Sequence, residues 1–333
     1  MAGPVSALLL AADIGGTKAN LALIREAPGG LVPIREAAVP SAGFTSAASL
    51  LSSFLGDDAG SVGAACLGIA GPVREGRAMT PNLPWGVAAD EIQAALGLPA
   101  VTLVNDLVAT ALGIAELPPQ GLEVLQEGRP DPSGNAALIA AGTGLGEALL
   151  VRSGEALVPV ASEGGHASFA PTGDLEIALL RFLSAELGAV SAERVVSGPG
   201  LRNVYRFLTA AGGFAESPRV RARMAAEDPS FVISDEALRG ADGACARALD
   251  LWLRAYGAEA GNLALKALAT AGVYVGGGIA PQVLPKLREG GFLEAFRAKG
   301  RLSGLLDEVP VRVILDPKTA LYGAARLAAR KLP

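Results

Sequence analysis

Asn105 and Asp106 form the residue pair best suited to chemistry, because they stand together at the end of the apolar run Val101–Val104. A helical pattern, Leu107–Ile114, follows at once. A carboxylate at the mouth of a buried strand can accept a proton from a substrate hydroxyl, while the neighbouring amide fixes the direction of that hydroxyl. Both residue types are also favoured as helix N-caps, which is the simpler interpretation of the pair taken alone. The pair therefore predicts either a general base with its orienting amide or an ordinary helix cap.

Two glycine-rich turns could hold phosphate groups. The first is Asp13-Ile14-Gly15-Gly16-Thr17 and the second is Gly142-Thr143-Gly144-Leu145-Gly146. Glycines let backbone N–H groups approach an anion closely, and consecutive amides form a concave anion nest. A strand-end carboxylate at Asp13, beside the first nest, is placed to hold Mg²⁺ directly or through water, because Mg²⁺ prefers a few oxygens plus phosphates. A plain hairpin turn with a solvated aspartate is the alternative.

Three further segments carry groups that could bind a small polar molecule. The tight loop Ser162-Glu163-Gly164-Gly165-His166 places the only histidine within three residues of a carboxylate. Glu193 precedes a glycine turn, although an exposed ion pair with Arg194 is the simpler explanation in isolation. Gly276-Gly277-Gly278 would let a flat ring or a sugar lie against bare backbone, unless it is only a tight turn. The two glutamates and the histidine, together with Asn105, resemble a site that holds a sugar by its hydroxyls, each buried hydrogen bond to a charged group contributing about 1.5–3 kcal/mol.

The elements that must position these groups alternate between strands and helices, which predicts an α/β fold. Ser6–Ala12 and Asn20–Ile24 read as two strands of a hairpin with the loop Asp13–Lys18. Half a chain later, Ala136–Ala141 and Ala148–Val151 repeat the pattern. The repetition predicts two related halves that face each other across a cleft.

The other elements follow from hydrophobic spacing. Leu117–Pro132, with its prolines and turn residues, is predicted to be a surface loop between domains. The remaining predicted strands are Ala64–Ile69, Val273–Val275 and Pro310–Leu315, and the predicted helices are Leu175–Leu187, Gly200–Ala211, Asp235–Arg254, Tyr256–Ala269 and Thr319–Lys331.

Composition excludes several classes of protein. The 333 residues carry a formal net charge of −5 and only 5% aromatics, which argues against a nucleic-acid binder. A single histidine excludes a two-histidine metal site, and two cysteines cannot build a Cys₃ or Cys₄ zinc centre. Because Cys66 and Cys245 lie far apart, no disulfide framework is expected and a reducing cytoplasm is the simplest setting. No charge-free stretch is typical of a membrane span, and no basic residue precedes the apolar run Val5–Ala12, as a secretion signal would require.

Nine segments, in order along the chain, resemble the bacterial glucokinases of the hexokinase and actin-like ATPase superfamily. They are "AADIGGTKANLAL", "LGIAGPV", "TPNLPW", "LVNDLVATALGI", "AAGTGLGEALLV", "SEGGHASFAP", "SAERVVSGPGLRNVYRFL", "GNLALKALATAGVYVGGGIAP" and "FRAKGRL". The run from "SEGGH" through "SGPGL" is specific to that family, whereas the "DIGGT" hairpin belongs to the whole superfamily. The resemblance implies phosphorylation of D-glucose at its 6-hydroxyl by ATP and Mg²⁺, in the cytoplasm, usually by a homodimer.

The resemblance also implies the fold, an α/β ribonuclease H-like architecture of the actin and hexokinase type, with two domains flanking a cleft. The small α/β domain would comprise residues 1-116 plus 316-333, and the large α+β domain residues 117-315.

The same resemblance implies a role for each singled-out residue. Asp106 looks like the general base and Asn105 like a glucose ligand beside it. The other sugar contacts would be Glu163, His166 and Glu193. The first phosphate loop would be Ala12, Asp13, Ile14, Gly15, Gly16 and Thr17, the second Gly142, Thr143 and Gly144, and the adenosine segment Gly276, Gly277 and Gly278.

Two segments depart from the family pattern. "DIGGTK" and "TPNLPW" are more similar to the ROK branch of sugar kinases, yet the cysteine-rich zinc motif of that branch cannot be built here. Lys18 is therefore expected to be solvated rather than bound to phosphate, and Asn82 is a further candidate for contact with the sugar.

Three alternatives remain open from the sequence. One is a kinase for another hexose, such as mannose, fructose or an N-acetylhexosamine. Another is a non-catalytic sugar sensor on the same fold, for which a DNA-binding segment has no room before the first strand. The third is an actin-like ATPase, against which the "SEGGH" loop and Glu193 argue.

Overall fold

The structure is a computed structural model that describes residues 7–27, 30–79 and 83–332. By its internal contacts the chain divides into two compact units. The first unit is Met1–Pro119 with Asp316–Pro333, and the second is Gln120–Leu315.

The strands of the described residues are β1 Leu8–Ile14, β2 Lys18–Ala27, β3 Gly30–Pro40, β4 Val62–Ile69, β5 Val73–Arg74, β6 Arg77–Met79, β7 Gly86–Ala88, β8 Val101–Asn105, β9 Leu122–Gln126, β10 Ala136–Ala141, β11 Leu145–Ser153, β12 Ala156–Ser162, β13 Gly272–Gly276 and β14 Val311–Ile314.

The helices are α1 Ala47–Leu55, α2 Ala89–Leu96, α3 Asp106–Gly113, α4 Asp174–Leu187, α5 Gly198–Ala210, α6 Pro218–Ala226, α7 Pro229–Leu238, α8 Gly243–Ala267, α9 Ile279–Gln282, α10 Leu284–Arg288, α11 Gly291–Arg297, α12 Ser303–Glu308 and α13 Thr319–Ala329. Within the described ranges, none is both long enough and apolar enough to cross a bilayer.

The main sheet of the first unit has the strand order β3-β2-β1-β4-β8. Strands β1, β2 and β3 form an antiparallel meander, and β1, β4 and β8 are parallel. Strand β1 is apolar on both faces: its even-numbered residues pack with those of α1 and α2, and Leu9 and Ala11 pack with those of α13. A strand covered on both faces reads as a continuous apolar run, which is why the sequence revealed it.

The predicted hairpin loop Asp13–Lys18 is too long. Asp13 and Ile14 still pair with Asn20 and Ala19 of β2, and with β4 on the other side, so the turn is only Gly15–Thr17. Backbone hydrogen bonds to two neighbouring strands keep these residues in the sheet despite the polar side chain.

Helices α3 and α13 cross at unusually close range. A Cβ atom at Gly113 would lie 1.8 Å from the carbonyl oxygen of Thr319, and one at Gly323 would lie 1.8 Å from that of Ala109. Only glycine can occupy either position, so the two backbones touch directly.

The sheet of the second unit has the order β12-β11-β10-β13-β14-β9. Its first five strands repeat the arrangement of the first sheet, with an antiparallel meander followed by parallel strands. The repeated hairpins of the sequence therefore occupy equivalent places in the two sheets, which share this five-strand arrangement.

Two predictions about this unit are wrong. The segment Leu117–Pro132 is not a loop throughout, because β9 pairs antiparallel with β14 at the sheet edge. The predicted helices Asp235–Arg254 and Tyr256–Ala269 are instead α7, ending at Leu238, and the single long helix α8. Its N-cap is Asp242, whose side chain accepts a hydrogen bond from the N–H of Cys245, and it continues without interruption beyond Tyr256.

Candidate active site

Polar residues of the first unit gather at the edge where its parallel strands end. Asp13 on β1 lies opposite Gly68 on β4, and Asn105 on β8 lies opposite Ile69. A Cβ atom at Gly68 would be 3.7 Å from the Cα of Asp106. The structure therefore brings both predicted acidic residues and the predicted amide to one sheet edge, the usual position for a ligand in an open α/β sheet.

Asn105 is the N-cap of α3, so the simpler interpretation of this residue is correct. Its Oδ1 accepts hydrogen bonds from the N–H of Leu107 at 3.0 Å and of Val108 at 3.4 Å. Its Nδ2 donates to the carbonyl oxygen of Gly71 at 3.2 Å, which ties the start of α3 to the turn after β4. Because Oδ1 already has two donors, the second N–H of Nδ2 is the group that this amide can offer to a ligand.

Asp106 is the first residue of α3 and is half-buried. Its Oδ1 accepts a hydrogen bond from the N–H of Leu107 at 2.9 Å. A carboxylate in the first turn of a helix is stabilised by the positive end of the helix dipole. The side chain is therefore held at the sheet edge in a polar, partly solvated position.

Asp13 is half-buried at the end of β1. The Nδ2 of Asn20 donates to its Oδ2 over 3.3 Å. Burial raises the pKa of the Asp13 carboxyl, while the hydrogen bond from Asn20 and the charge of Lys18 act in the opposite direction. Lys18 itself is exposed. A cation beside Asp13 would offset the desolvation of this carboxylate.

The residues around Asp13 fit Mg²⁺ rather than a metal held wholly by protein. Within residues 7–27, 30–79 and 83–332 no three histidine, cysteine or acidic side chains group together as a metal cage. Mg²⁺ typically takes one or two carboxylates and completes its shell with water and phosphate oxygens. One carboxylate beside a glycine turn supplies that donor set.

The turn Gly15–Thr17 is braced by a residue that sequence reasoning missed. Ser41 is fully buried, and its Oγ donates to the carbonyl oxygen of Gly15 at 2.7 Å. The N–H of Ser41 donates to the carbonyl oxygen of Thr17 at 3.1 Å. Nothing in the local sequence of Ser41 signals this contact, because the contact joins the end of β3 to a turn much earlier in the chain.

The second glycine turn is seated against the start of α5. The N–H of Gly142 donates to the carbonyl oxygen of Gly144 at 2.8 Å, and the N–H of Gly198 donates to that of Gly142, also at 2.8 Å. Helix α5 begins at Gly198 with Ser197 as its N-cap, and Trp252 Nε1 donates to the Ser197 carbonyl at 3.1 Å. The turn therefore has a fixed shape before any ligand arrives.

Glu193 contacts this turn and does not use Arg194 as its partner. Its Oε2 accepts a hydrogen bond from the N–H of Leu145 at 3.0 Å, and its Oε1 lies 4.0 Å from Nδ1 of His166. The exposed-pair interpretation is therefore wrong. The side chain of His166 is 61% exposed and that of Glu193 is 25% exposed, so both reach solvent from one place.

Glu163 and His166 are presented by a tight turn over the start of β11. The N–H of His166 donates to the carbonyl oxygen of Glu163 at 3.0 Å, and the N–H of Gly164 donates to Ser162 Oγ at 2.9 Å. A Cβ atom at Gly165 would lie 1.9 Å from the carbonyl oxygen of Leu145. The glycines let the turn settle onto β11, while the side chains of Glu163 and His166 remain exposed.

The triple glycine meets the second glycine turn. Gly276 pairs with Ala140 of β10, and Gly277 has a φ of +83°, with the carbonyl oxygen of Ala141 only 2.2 Å from where its Cβ would stand. The buried hydroxyl of Tyr256 accepts the N–H of Ala141 and lies 3.3 Å from the carbonyl oxygen of Gly276. Tyr256 was also missed, because it comes from the middle of a helix.

The predicted residues thus form two groups, one in each unit. Asp13, Asn105 and Asp106 share the sheet edge of the first. The second group comprises Gly142, Thr143, Gly144, Glu163, His166, Glu193 and Gly276–Gly278. Asn82 lies outside the described residues.

The fold and these polar strand ends define a sugar kinase. A solved glucokinase from an Antarctic psychrotroph aligns with a TM-score of 0.83 at 32% identity, over 97% of this chain and 99% of its own. A ROK family glucokinase from Streptomyces griseus shares the fold at a TM-score of 0.65 and 24% identity, over 97% and 99% of the two chains. The predicted fold class is confirmed.

The chain belongs to the glucokinase family. A model of that family matches residues 10–331. The glucokinase of Nostoc punctiforme is 41% identical, over 97% of this chain and 99% of its own. That of Synechocystis is 40% identical, over 98% and 99%.

Proposed function

We propose that this protein transfers the terminal phosphoryl group of ATP to the 6-hydroxyl of D-glucose, giving glucose 6-phosphate and ADP. The observation that carries the proposal is the family match over residues 10–331. The Streptomyces griseus structure of the same fold contains glucose and AMPPNP, an ATP analogue, which supports the pairing of substrates.

Asp106 acts as the general base in this proposal. Its carboxylate accepts the proton of the 6-hydroxyl as the new bond to phosphorus forms, a role that a half-buried carboxylate at a sheet edge can fill. The N–H of the Asn105 amide orients the sugar, since its oxygen is occupied by the cap of α3.

Glu163, His166 and Glu193 bind the other sugar hydroxyls. Glu193 is anchored by the N–H of Leu145, and His166 lies beside it, so two charged or polar groups converge on one small region. A site built to bond hydroxyls rejects analogues that lack them by as much as ~10⁴-fold, which would confer preference for one hexose.

The glycine turns bind the phosphates, and Gly276–Gly278 lies against the adenosine. Asp13 would hold Mg²⁺, which when bound supplies neutralisation of the phosphate charge. The backbone amides of Gly15–Thr17 and Gly142–Gly144 would orient the phosphate oxygens, and phosphoryl transfer depends mainly on such positioning and charge neutralisation.

A coupled assay of ADP release with glucose, mannose, fructose and N-acetylglucosamine tests the function. We expect the highest kcat/KM with glucose, and no ADP release without Mg²⁺. A higher value with another hexose would make this a kinase for that sugar. Glucose binding without ADP release at any Mg²⁺ or ATP concentration would instead indicate a sugar sensor.

We also propose that the protein works as a homodimer in the cytoplasm. Cys66 and Cys245 are buried free thiols, which suits a reducing compartment. The homodimer rests on resemblance to the family, and light scattering on the purified chain tests it.

A further inference from the structure

Glu147, in the middle of the second unit, is a buried acidic residue that the proposed reaction does not use. It lies on β11 and only 2% of its surface is exposed. Its Oε1 has no hydrogen-bond partner within the described part of the chain. A buried oxygen without a partner is costly, so its retention needs an explanation.

The carboxyl group of Glu147 lies directly under the turn that carries Glu163 and His166. A Cβ atom at Gly164 would be 2.1 Å from Oε2 of Glu147 and 2.9 Å from its Cδ. Only glycine can therefore lie over this carboxyl. Ser162, which receives the N–H of Gly164, is the partner of Glu147 in the β11–β12 register.

The surroundings of Glu147 favour its uncharged form. Burial raises its pKa to about 7, and the carboxylate of Glu259 on α8 acts in the same direction, while Lys266 on α8 opposes it. The hydroxyl of Tyr256, also on α8, is close enough to Glu147 for the two groups to interact electrostatically. Lys266 forms an ion pair with Glu259, in which its Nζ lies 3.4 Å from Oε1.

Within the described part of the chain, the strand partners of Glu147 bring no charge. Ile139, the partner of Glu147 on β10, is apolar, and Ser162 on β12 carries a hydroxyl. The ionisable side chains of the turn, Glu163 and His166, are exposed. Ionisation of Glu147 would therefore leave a buried charge with an unpaired oxygen beneath Gly164.

We propose that Glu147 is a positioning residue for the sugar: its uncharged carboxyl holds the Glu163–His166 turn in the arrangement that binds glucose. The inference rests on the proposed function for the identity of the ligand, but not for the behaviour of the turn. When Glu147 loses its proton, water must enter beneath Gly164 to solvate the charge, and the turn is displaced. The stabilising effect of the uncharged form is complete at low pH and is lost as the pH rises through about 7.

Amide hydrogen exchange at the turn tests the inference without any sugar. The full chain is compared with Glu147→Gln and Glu147→Met, two variants that cannot ionise, at pH 6.0 and at pH 8.5. Comparison at one pH cancels the intrinsic pH dependence of exchange. A peptide from α13 serves as the reference, and melting temperatures at pH 6.0 show that each variant is folded.

We expect the ratio of the wild-type exchange rate to that of either variant, in peptides covering residues 162–167, to be about fivefold larger at pH 8.5 than at pH 6.0. Linkage to a carboxyl whose pKa is about 7 beneath the turn and the usual 4.5 in water sets an upper limit of about tenfold for this change. If the ratio of the wild-type exchange rate to the variant exchange rate were the same at both pH values, in whichever variant folds, the inference would be overturned.

Steady-state kinetics give a second test, because the inference affects the KM for glucose and not the KM for ATP. The KM for glucose of the wild type should rise severalfold from pH 6.5 to 8.5 relative to that of Glu147→Gln, while the KM for ATP follows the same course in both. If the wild type phosphorylates no sugar, the proposed function fails and the exchange experiment alone decides the role of Glu147. Parallel glucose KM profiles in an active enzyme would refute the sugar-positioning role.

Discussion

The Oε2 atom of Glu193 accepts a hydrogen bond from the N–H of Leu145 at 3.0 Å. The same oxygen lies 2.6 Å from where a Cβ atom would stand at Gly144. A residue proposed to bind sugar and a turn proposed to bind phosphate are therefore in direct contact, and the contact exists only because position 144 is glycine. A substitution at Gly144 or at Glu193 should therefore affect both the turn and the Glu193 side chain.

Gly144→Ala should raise the KM for glucose by about 10- to 100-fold, because the new methyl group displaces Glu193 and removes a hydrogen bond to a charged group. Steady-state kinetics with glucose varied at saturating ATP measures this. Gly304→Ala in α12 is the matched control, since a Cβ atom there meets nothing within 4 Å. A normal KM for glucose in Gly144→Ala would show that Glu193 does not bind the sugar.

Asp106→Asn should lower kcat by about 10²- to 10⁴-fold, the usual contribution of a general base. The asparagine oxygen can still accept the N–H of Leu107, so the start of α3 and the melting temperature should be preserved. Glucose binding, measured by calorimetry, should persist. Near-normal turnover would remove Asp106 from this role.

Asp13→Asn should lower kcat by about 10²-fold or more and raise the Mg²⁺ concentration needed for half-maximal rate, because the charge that would hold the ion is lost. Its thermal stability should not fall, since burial raises the pKa of Asp13 and the fold therefore already disfavours the charged form. Lys18→Met serves as the control, with a rate change of less than about threefold as for exposed charges. A larger effect at Lys18 than at Asp13 would indicate that the lysine, rather than Asp13 and the metal, carries the phosphate charge.

The elements that position the site could be predicted because they lie on local patterns. Strand β10 has the predicted bounds, and the ends of β1, β4 and β8 were correct to within two residues, because a strand buried on both faces is a continuous apolar run. The predicted break between the helices near Tyr256 failed for a tertiary reason. Gly257 lies in the middle of α8, where a Cβ atom would be 2.0 Å from the carbonyl oxygen of Phe292. That glycine permits close packing and does not end the helix.

The contacts that brace the site could not be predicted. Ser41 and Tyr256 each reach the site from a distant part of the chain, and neither their residue types nor their neighbours distinguish them from ordinary core residues. Glu147 directly follows the second glycine turn, but the sequence does not show that its side chain lies buried beneath Gly164. Strand β9 was missed because its pairing partner, β14, follows it by nearly two hundred residues. Non-local pairing leaves no periodic signal in a single sequence.

Cys66 and Cys245 should resist thiol reagents in the native protein. Both are fully buried, and burial raises the pKa of the Cys66 thiol to about 12 and that of Cys245 as well. Because the thiolate is the reactive form, a disulfide reagent at pH 8 should label neither until denaturant is added, after which it should label both. Rapid labelling of the folded enzyme would contradict the packing of β4 or of α8.

Tyr256→Phe should lower the free energy of unfolding by about 1–3 kcal/mol, because the N–H of Ala141 loses its partner in a buried place. The same hydroxyl lies 3.3 Å from the carbonyl oxygens of Ile139 and Gly276, so it joins the ends of β10 and β13 where the second glycine turn begins. We therefore expect a higher KM for ATP together with a lower melting temperature, measured by calorimetry and kinetics. Tyr322→Phe, in the half-buried face of α13, is the control. If Tyr256→Phe lowered stability but left the KM for ATP unchanged, the second glycine turn would not depend on this hydroxyl, and its shape would be set by Gly198 and α5 alone.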